Sequence, residues 1–278
     1  MQHDAEWLER MYNNRVRVPD YADYFSRWEQ TSRAARQSSP CTLDIPYGER
    51  LNETLDVFPA ADNVSGQGHP VLLFIHGGYW RSLDKADHSF IAPVFNAAGA
   101  CVVVPNYALC PAVTVPEITL QMVRALVWVQ QHIARYGGDP AQITVVGHSA
   151  GGHLATMLMT DVSAVPVKNT LSISGLYALE TLRHTPSLQV ALQLTPEHVA
   201  SNSPASLPAP FHGELITVVG GDESAEFIRH NALMQAAWGA ERVTVCETLP
   251  GLNHFSVVDA LAQPAHRLHQ LALGLLGL

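Results

Sequence analysis

From about residue 70 onward, short continuous apolar runs alternate with segments of helical period. Val71-Leu72-Leu73-Phe74-Ile75 reads as a strand buried on both faces, and Ala100 to Val104, Ile143 to Val146, Asn169 to Ser174, Leu215 to Val219 and Val243 to Cys246 read as further strands. Between them Ala86 to Ala98, Pro116 to Arg135, Gly152 to Thr160 and Ala225 to Trp238 read as helices, and another runs from about Val257. In the second of these, Ile118, Met122, Ala125, Leu126, Val129 and Ile133 recur on one face. Repeated βα units predict an α/β fold with a doubly wound, mostly parallel sheet and a site at the strand C-termini. Upstream the rhythm differs. Residues 5–37 are polar and aromatic, with Pro19-Asp20 starting a second helical piece; they predict an N-terminal helical arm (residues 1–40) packed on the domain. Thr42 to Tyr47 and Glu53 to Phe58 predict an antiparallel strand pair at one sheet edge. Residues 176–212 break the alternation, with five prolines among short apolar pieces. So long a stretch without a regular element predicts a small helical cap over the strand ends.

Composition narrows the class. At 278 residues, 47% hydrophobic and 15% charged, the chain suits one large domain spanning 1–278. A net charge of −9 without basic runs argues against nucleic acid or an anionic membrane as partner. The start, Met1-Gln2-His3-Asp4-Ala5-Glu6, lacks the apolar core of a signal peptide, and no run approaches 18 apolar residues. Cys41, Cys101, Cys110 and Cys246 are scattered, which predicts reduced thiols and a cytoplasmic location over two disulfides in a secreted protein. Fourteen histidines include no H-x-x-x-H or H-E-x-x-H pair, so neither metal nor cofactor is expected.

The chemistry concentrates at Gly147-His148-Ser149-Ala150-Gly151, between the strand ending at Val146 and the helix that follows. A G-x-S-x-G between strand and helix is a nucleophile elbow: the glycines allow a tight turn that lifts the serine hydroxyl above the sheet edge. The helix start behind it aims N–H groups at an oxyanion. A serine needs a base, and the base an orienting acid. Asp222, after Val218-Val219-Gly220-Gly221, and His254, in Pro250-Gly251-Leu252-Asn253-His254-Phe255, follow successive strands in the order serine, acid, histidine. Glu223 competes for the acid's place but starts the next helix, where capping is the expected role. Asp259 and His230 fall inside helices. Taken singly, Asp222 could be an N-cap and His254 a loop residue; jointly with Ser149 they form a triad.

His76-Gly77-Gly78-Tyr79-Trp80 follows the first parallel strand, and the N–H groups of Gly77, Gly78 and Ala150 are expected to form the oxyanion hole. His76 is read as a brace for that loop. Tyr79, Trp80, His148 and Tyr177 are candidate substrate contacts, with Phe211 beside the cap as a further one. For Tyr79 and Trp80, packing under the loop is an equal alternative. Phe255 is read as fixing its loop, and Gly137-Gly138-Asp139-Pro140 as a turn.

With these residues in view, the chain resembles an α/β-hydrolase of the hormone-sensitive-lipase-like esterase type, and its H-G-G-x-W signature is similar to that of the kynurenine formamidase (arylformamidase) family. The resemblance runs from Tyr12-Asn13-Asn14-Arg15 through His76–Trp80, Gly147–Gly151 and Gly220-Gly221-Asp222 to Asn253-His254-Phe255. It implies an α/β-hydrolase fold and metal-independent hydrolysis of N-formylkynurenine to kynurenine and formate, with Ser149 as nucleophile, Asp222 as acid and His254 as base. Where related lipases have Asp-Tyr-Arg-Leu-Ala-Pro, this chain reads Asn106-Tyr107-Ala108-Leu109-Cys110-Pro111. A short-chain ester would fit the same machinery. A non-catalytic ligand receptor would typically lack a triad member, and a surface-acting lipase would need an amphipathic lid that 176–212 lacks. The partner is thus a small-molecule amide or ester, and a homodimer is left open.

Overall fold

The continuous apolar runs become the middle of one sheet. The computed structural model describes residues 4–61 and 68–278; Met1-Gln2-His3, the first half of the stretch read against a signal peptide, lie outside the described residues. The strands are β1 Thr42–Pro46, β2 Thr54–Phe58, β3 His69–Ile75, β4 Cys101–Pro105, β5 Gly138–His148, β6 Asn169–Ile173, β7 Glu214–Gly220 and β8 Val243–Leu249. They pair in the order β1-β2-β4-β3-β5-β6-β7-β8. β1 and β2 are antiparallel to each other and β2 to β4, while every pairing from β4 to β8 is parallel.

The helices are α1 Ala5–Tyr12, α2 Asn14–Arg17, α3 Tyr21–Ser38, α4 Ala92–Ala97, α5 Val115–His132, α6 Ala150–Met157, α7 Glu180–Arg183, α8 Pro186–Leu192, α9 Pro196–Ser201, α10 Ala225–Trp238, α11 Ser256–Leu261 and α12 Arg267–Leu276. Because side chains alternate across a strand, Val71, Leu73 and Ile75 join one core with α5, α6 and α10. Leu72 and Phe74 join the other with Trp28, Phe95 and the helices α11 and α12. Both faces are therefore dry, which is why Val71–Ile75 of β3 carry no polar side chain. α5 starts at a capping box, with Thr114 and Glu117 each bonded to the other's backbone N–H and Pro116 in the first turn. Its predicted apolar face is buried.

Three expectations shift. Ala86 to Ala98 is two short 3-10 turns followed by α4, because Pro93 is tolerated only in a helix's first turn. The C-terminal helix is two, α11 and α12, with Pro264 in the connection. Residues 176–212, read as a helical cap without regular elements, hold three short helices, α7, α8 and α9. Pro186 and Pro196 are in the first turns of α8 and α9, so two of the prolines read as breakers are helix starters. All four cysteines are free. Among the described residues, no helix is long and apolar enough to cross a membrane.

Candidate active site

Four neighbouring parallel strands deliver the polar groups at their C-terminal ends. β5 ends at His148 and α6 begins at Ala150, leaving Ser149 alone in the turn with φ 56° and ψ −117°, a conformation that side chains rarely adopt. The glycines act by close approach: a Cβ on Gly147 would sit 2.1 Å from the Gly151 carbonyl oxygen, and one on Gly151 would sit 2.0 Å from that of Ile75. The turn is pinned by the Ser149 N–H donating to the Ile173 carbonyl at 2.7 Å.

Ser149 Oγ lies 3.1 Å from His254 Nε2, and His254 Nδ1 lies 2.6 Å from Glu223 Oε2. The carboxylate fixes the proton on Nδ1, so the Nε2 lone pair faces the serine. The other Glu223 oxygen, Oε1, accepts from the Ser174 hydroxyl beyond β6 at 2.5 Å and from the Gly220 N–H at 2.8 Å. Its side chain is wholly buried.

Asp222, the acid expected from the sequence, is not part of this relay. Its side chain is exposed, and its N–H donates to the Leu252 carbonyl at 3.0 Å. The Gly220–Glu223 turn, closed by a Glu223 N–H to Gly220 carbonyl bond, sends residue 222 outward and residue 223 inward. Nor does Glu223 cap the next helix. Ser224 is the N-cap of α10 and accepts from the Phe227 N–H, so Glu223 stays in the loop and free for the histidine.

His254 is held on every side. Asn253 Oδ1 accepts from the N–H groups of Phe255 and Ser256, both at 2.9 Å. The Phe227 ring packs 4.5 Å from the imidazole. His148 donates from Nε2 to the His254 carbonyl at 2.9 Å, and burial with His254 close by holds His148 well below the ordinary histidine range. Phe255 packs against Tyr21, Tyr24, Phe25 and Trp28 of α3, which ties the arm to the histidine loop.

The loop after β3 carries unusual strain. Gly78, Tyr79 and Trp80 have φ of 104°, 51° and 55°. Gly78 folds back with its carbonyl accepting from the Ser82 hydroxyl and the Arg81 N–H. Gly77 is forced by proximity, since a Cβ there would lie 3.1 Å from Ser149 Cβ and 3.0 Å from His148 Nδ1. As the first residue of α6, Ala150 has an N–H without an intrahelical acceptor. His76 Nδ1 lies 2.8 Å from the Gly77 carbonyl oxygen and Nε2 lies 3.2 Å from Asn106 Oδ1; burial favours the neutral imidazole, whose single N–H donates to one of these oxygens at a time, and the ring stacks on Tyr107 at 4.3 Å. Asn106, in the segment that departs from the lipase pattern, therefore braces the loop.

A cavity of about 430 Å³ opens above Ser149 and His254. His148, Gly78 and Tyr79 line it, and Tyr79 donates its hydroxyl proton to the Tyr12 carbonyl at 2.8 Å. Trp80 and Tyr177 do not line it. Trp80 is turned inward, fully buried and edge-on to His153 at 5.0 Å. Tyr177 donates its hydroxyl proton to Ser172 and its N–H to His230. Phe211 is 90% exposed. The opposite wall comes from the arm, with Tyr12, Asn14, Arg15, Phe25 and Trp28, and from Leu188 of α8. Sequence reasoning assigned these no site role, although the Tyr12–Arg15 stretch carried part of the family resemblance.

A model of the α/β hydrolase fold family matches residues 72–210, half of the chain. The chain belongs to the α/β-hydrolase fold family. This hydrolase is 27% identical over 285 residues to kynurenine formamidase of Salmo salar, covering 98% of this chain and 93% of that one. It is 37% identical to esterase LipQ of Mycobacterium tuberculosis over 125 residues, 44% of this chain and 30% of that one. Among solved structures, a protein of Silicibacter sp. tm1040 provisionally described as a thioesterase shares 27% identity at a TM-score of 0.83, covering 95% of this chain and 98% of that one.

Proposed function

We propose that the protein is a serine hydrolase that cleaves small aryl formamides, with N-formylkynurenine as the model substrate, through a formyl-serine intermediate. The observation that carries this reading is the continuous relay from Ser149 Oγ through His254 to Glu223 at the floor of the cavity. The near full-length similarity to a kynurenine formamidase supports the formamide as acyl donor.

His254 Nε2 takes the Ser149 hydroxyl proton as Oγ attacks the formyl carbon, and N–H groups of Gly77, Gly78 and Ala150 hold the oxyanion. His254 returns that proton to the departing aryl nitrogen, and the C–N bond breaks. Water then gives a proton to Nε2 and attacks the formyl ester, releasing formate and restoring Ser149. Glu223 orients the imidazole and stabilises its cationic form throughout. No step calls for a metal, so dialysis against a chelator should leave turnover unchanged.

Short-chain esters suit the same site, as the similarity to esterase LipQ suggests. The deciding experiment compares kcat/KM on N-formylkynurenine with that on short p-nitrophenyl esters. The formamide reading expects a preference for N-formylkynurenine by orders of magnitude; a preference for the esters overturns it. Ser149→Ala should lower kcat by about six orders of magnitude, and retention of most activity would remove the serine mechanism altogether.

A further inference from the structure

Two arginines line the cavity, Arg15 of the arm and Arg81 of the loop after β3. Arg10, Arg27, Arg50, Arg124, Arg183, Arg229 and Arg267 each pair with a carboxylate. Among the described residues neither Arg15 nor Arg81 does. Arg17, Arg33, Arg36, Arg135 and Arg242 also form no ion pair among the described residues, but only Arg15 and Arg81 of the unpaired arginines line the cavity over Ser149.

Each is oriented by contacts that leave donors unused. Arg81 donates from Nη1 to the Ser187 carbonyl at 2.5 Å, fixing it between the oxyanion loop and α8. The Arg15 guanidinium lies 5.3 Å from the Tyr21 ring centroid and 5.6 Å from that of Phe25. Such contacts engage the flat face of the group and leave its N–H edge for an anion. Glu9 is the acid that shares a partner with Arg81. Its two oxygens take the Ser187 N–H at 3.2 Å and the Asn13 amide at 3.4 Å, and it forms no ion pair with either arginine. The lining these arginines share with Ser149 includes the aromatic side chains of Phe25, Trp28, Tyr79 and Phe255.

We propose that Arg15 and Arg81 form a carboxylate subsite that selects substrates whose aryl leaving group carries an acid. The order of groups along the cavity is then scissile carbonyl at Ser149, ring among the aromatics and carboxylate at the arginines. This subsite rests on the aryl-formamide reading for the identity of the ring-bearing half, but its test does not require turnover.

The test is calorimetric binding to the Ser149→Ala protein of N-formylkynurenine and of N-formylkynuramine, the same aryl formamide without the carboxylate. A charge-assisted contact predicts tighter binding of the carboxylate form by about 10- to 100-fold, shrinking as salt is added. In the same protein carrying Arg15→Gln and Arg81→Gln, the ratio of the two dissociation constants should fall to within about threefold of one. Arg15→Gln alone, at an exposed position, should lower the ratio without disturbing the fold. Equal affinities before the arginine changes, a ratio that survives them, or no binding of either ligand would each overturn the subsite. Failure of the wild-type protein to hydrolyse N-formylkynurenine, with the binding ratio intact, would instead overturn the formamidase reading and leave the subsite standing.

Discussion

Two buried clusters in this hydrolase contain the same three chemical parts, and only one of them is placed to react. Ser149, His254 and Glu223 form the first; Tyr12, His230 and Glu226 form the second. In the second, the Tyr12 hydroxyl lies 2.9 Å from His230 Nε2 and donates to Glu226 Oε2 at 2.8 Å, with Thr181 at 2.6 Å. The difference lies in the imidazole lone pair. His230 Nδ1 accepts the Tyr177 N–H at 3.0 Å, so its one basic nitrogen is occupied and Nε2 carries the proton toward Tyr12. His254 has its Nδ1 proton on a carboxylate and its lone pair on a hydroxyl that borders the cavity. A hydroxyl, a histidine and a glutamate therefore make a base or a clamp according to what holds the second nitrogen. The clamp joins α1, α7 and α10, and through the Tyr12 carbonyl it also holds Tyr79.

The sharpest way to break this comparison is to remove each histidine in turn. His254→Ala should cost about six orders of magnitude in kcat, whereas His230→Ala should cost less than about tenfold in the folded protein. Comparable losses would mean that the second cluster takes part in the chemistry.

Acid should unfold the protein through buried histidines outside the relay. Burial pushes His230 and His88 down to about 3 and His153 down to about 4. Unfolded histidines bind protons near pH 6.5, so between that pH and the folded values the unfolded chain holds more protons. Stability is then fully present above about pH 6.5 and falls on acidification, by up to ~1.4 kcal/mol per pH unit for each such group. Thermal unfolding followed from pH 7 to pH 5 should show a falling Tm; a flat profile would mean that these imidazoles are charged in the fold.

A smaller effect is expected from Tyr12→Phe, which leaves the Glu226 carboxylate and the His230 N–H without their shared partner. Burial opposes ionisation of Glu226, but the Arg229 and Tyr12 hydrogen bonds outweigh it and hold the group below the ordinary carboxylate range. Loss of one partner should cost about 1–3 kcal/mol, or roughly 2–10 °C in Tm. An unchanged Tm would remove the clamp from the account.

The parallel core was legible because buried strands and amphipathic helices leave periodic marks, and the elbow because G-x-S-x-G between them has a steric meaning. Asp222 was misread for a local reason. Which of two adjacent acids faces inward depends on the turn after β7 and on where α10 begins, and Ser224 rather than Glu223 begins it. Of the two readings open for Trp80, packing beneath the loop holds, and Tyr177 packs in the same way, because an aromatic near a site packs beneath it as readily as it lines it. The far wall was hidden for another reason: the arm reaches the cavity only by tertiary packing of Phe25 and Trp28 on Phe255, more than 200 residues away in sequence, and no local pattern encodes that.

The identity of the acid carries the account, and one pair of variants tests it. Glu223→Gln should keep the shape but lose the charge that orients His254, lowering kcat by about four orders of magnitude. Asp222→Asn, at the exposed neighbouring position, should change kcat by less than about threefold. Steady-state rates showing that pattern would establish the Ser149–His254–Glu223 relay; a large loss in Asp222→Asn with a nearly unaffected Glu223→Gln would contradict it.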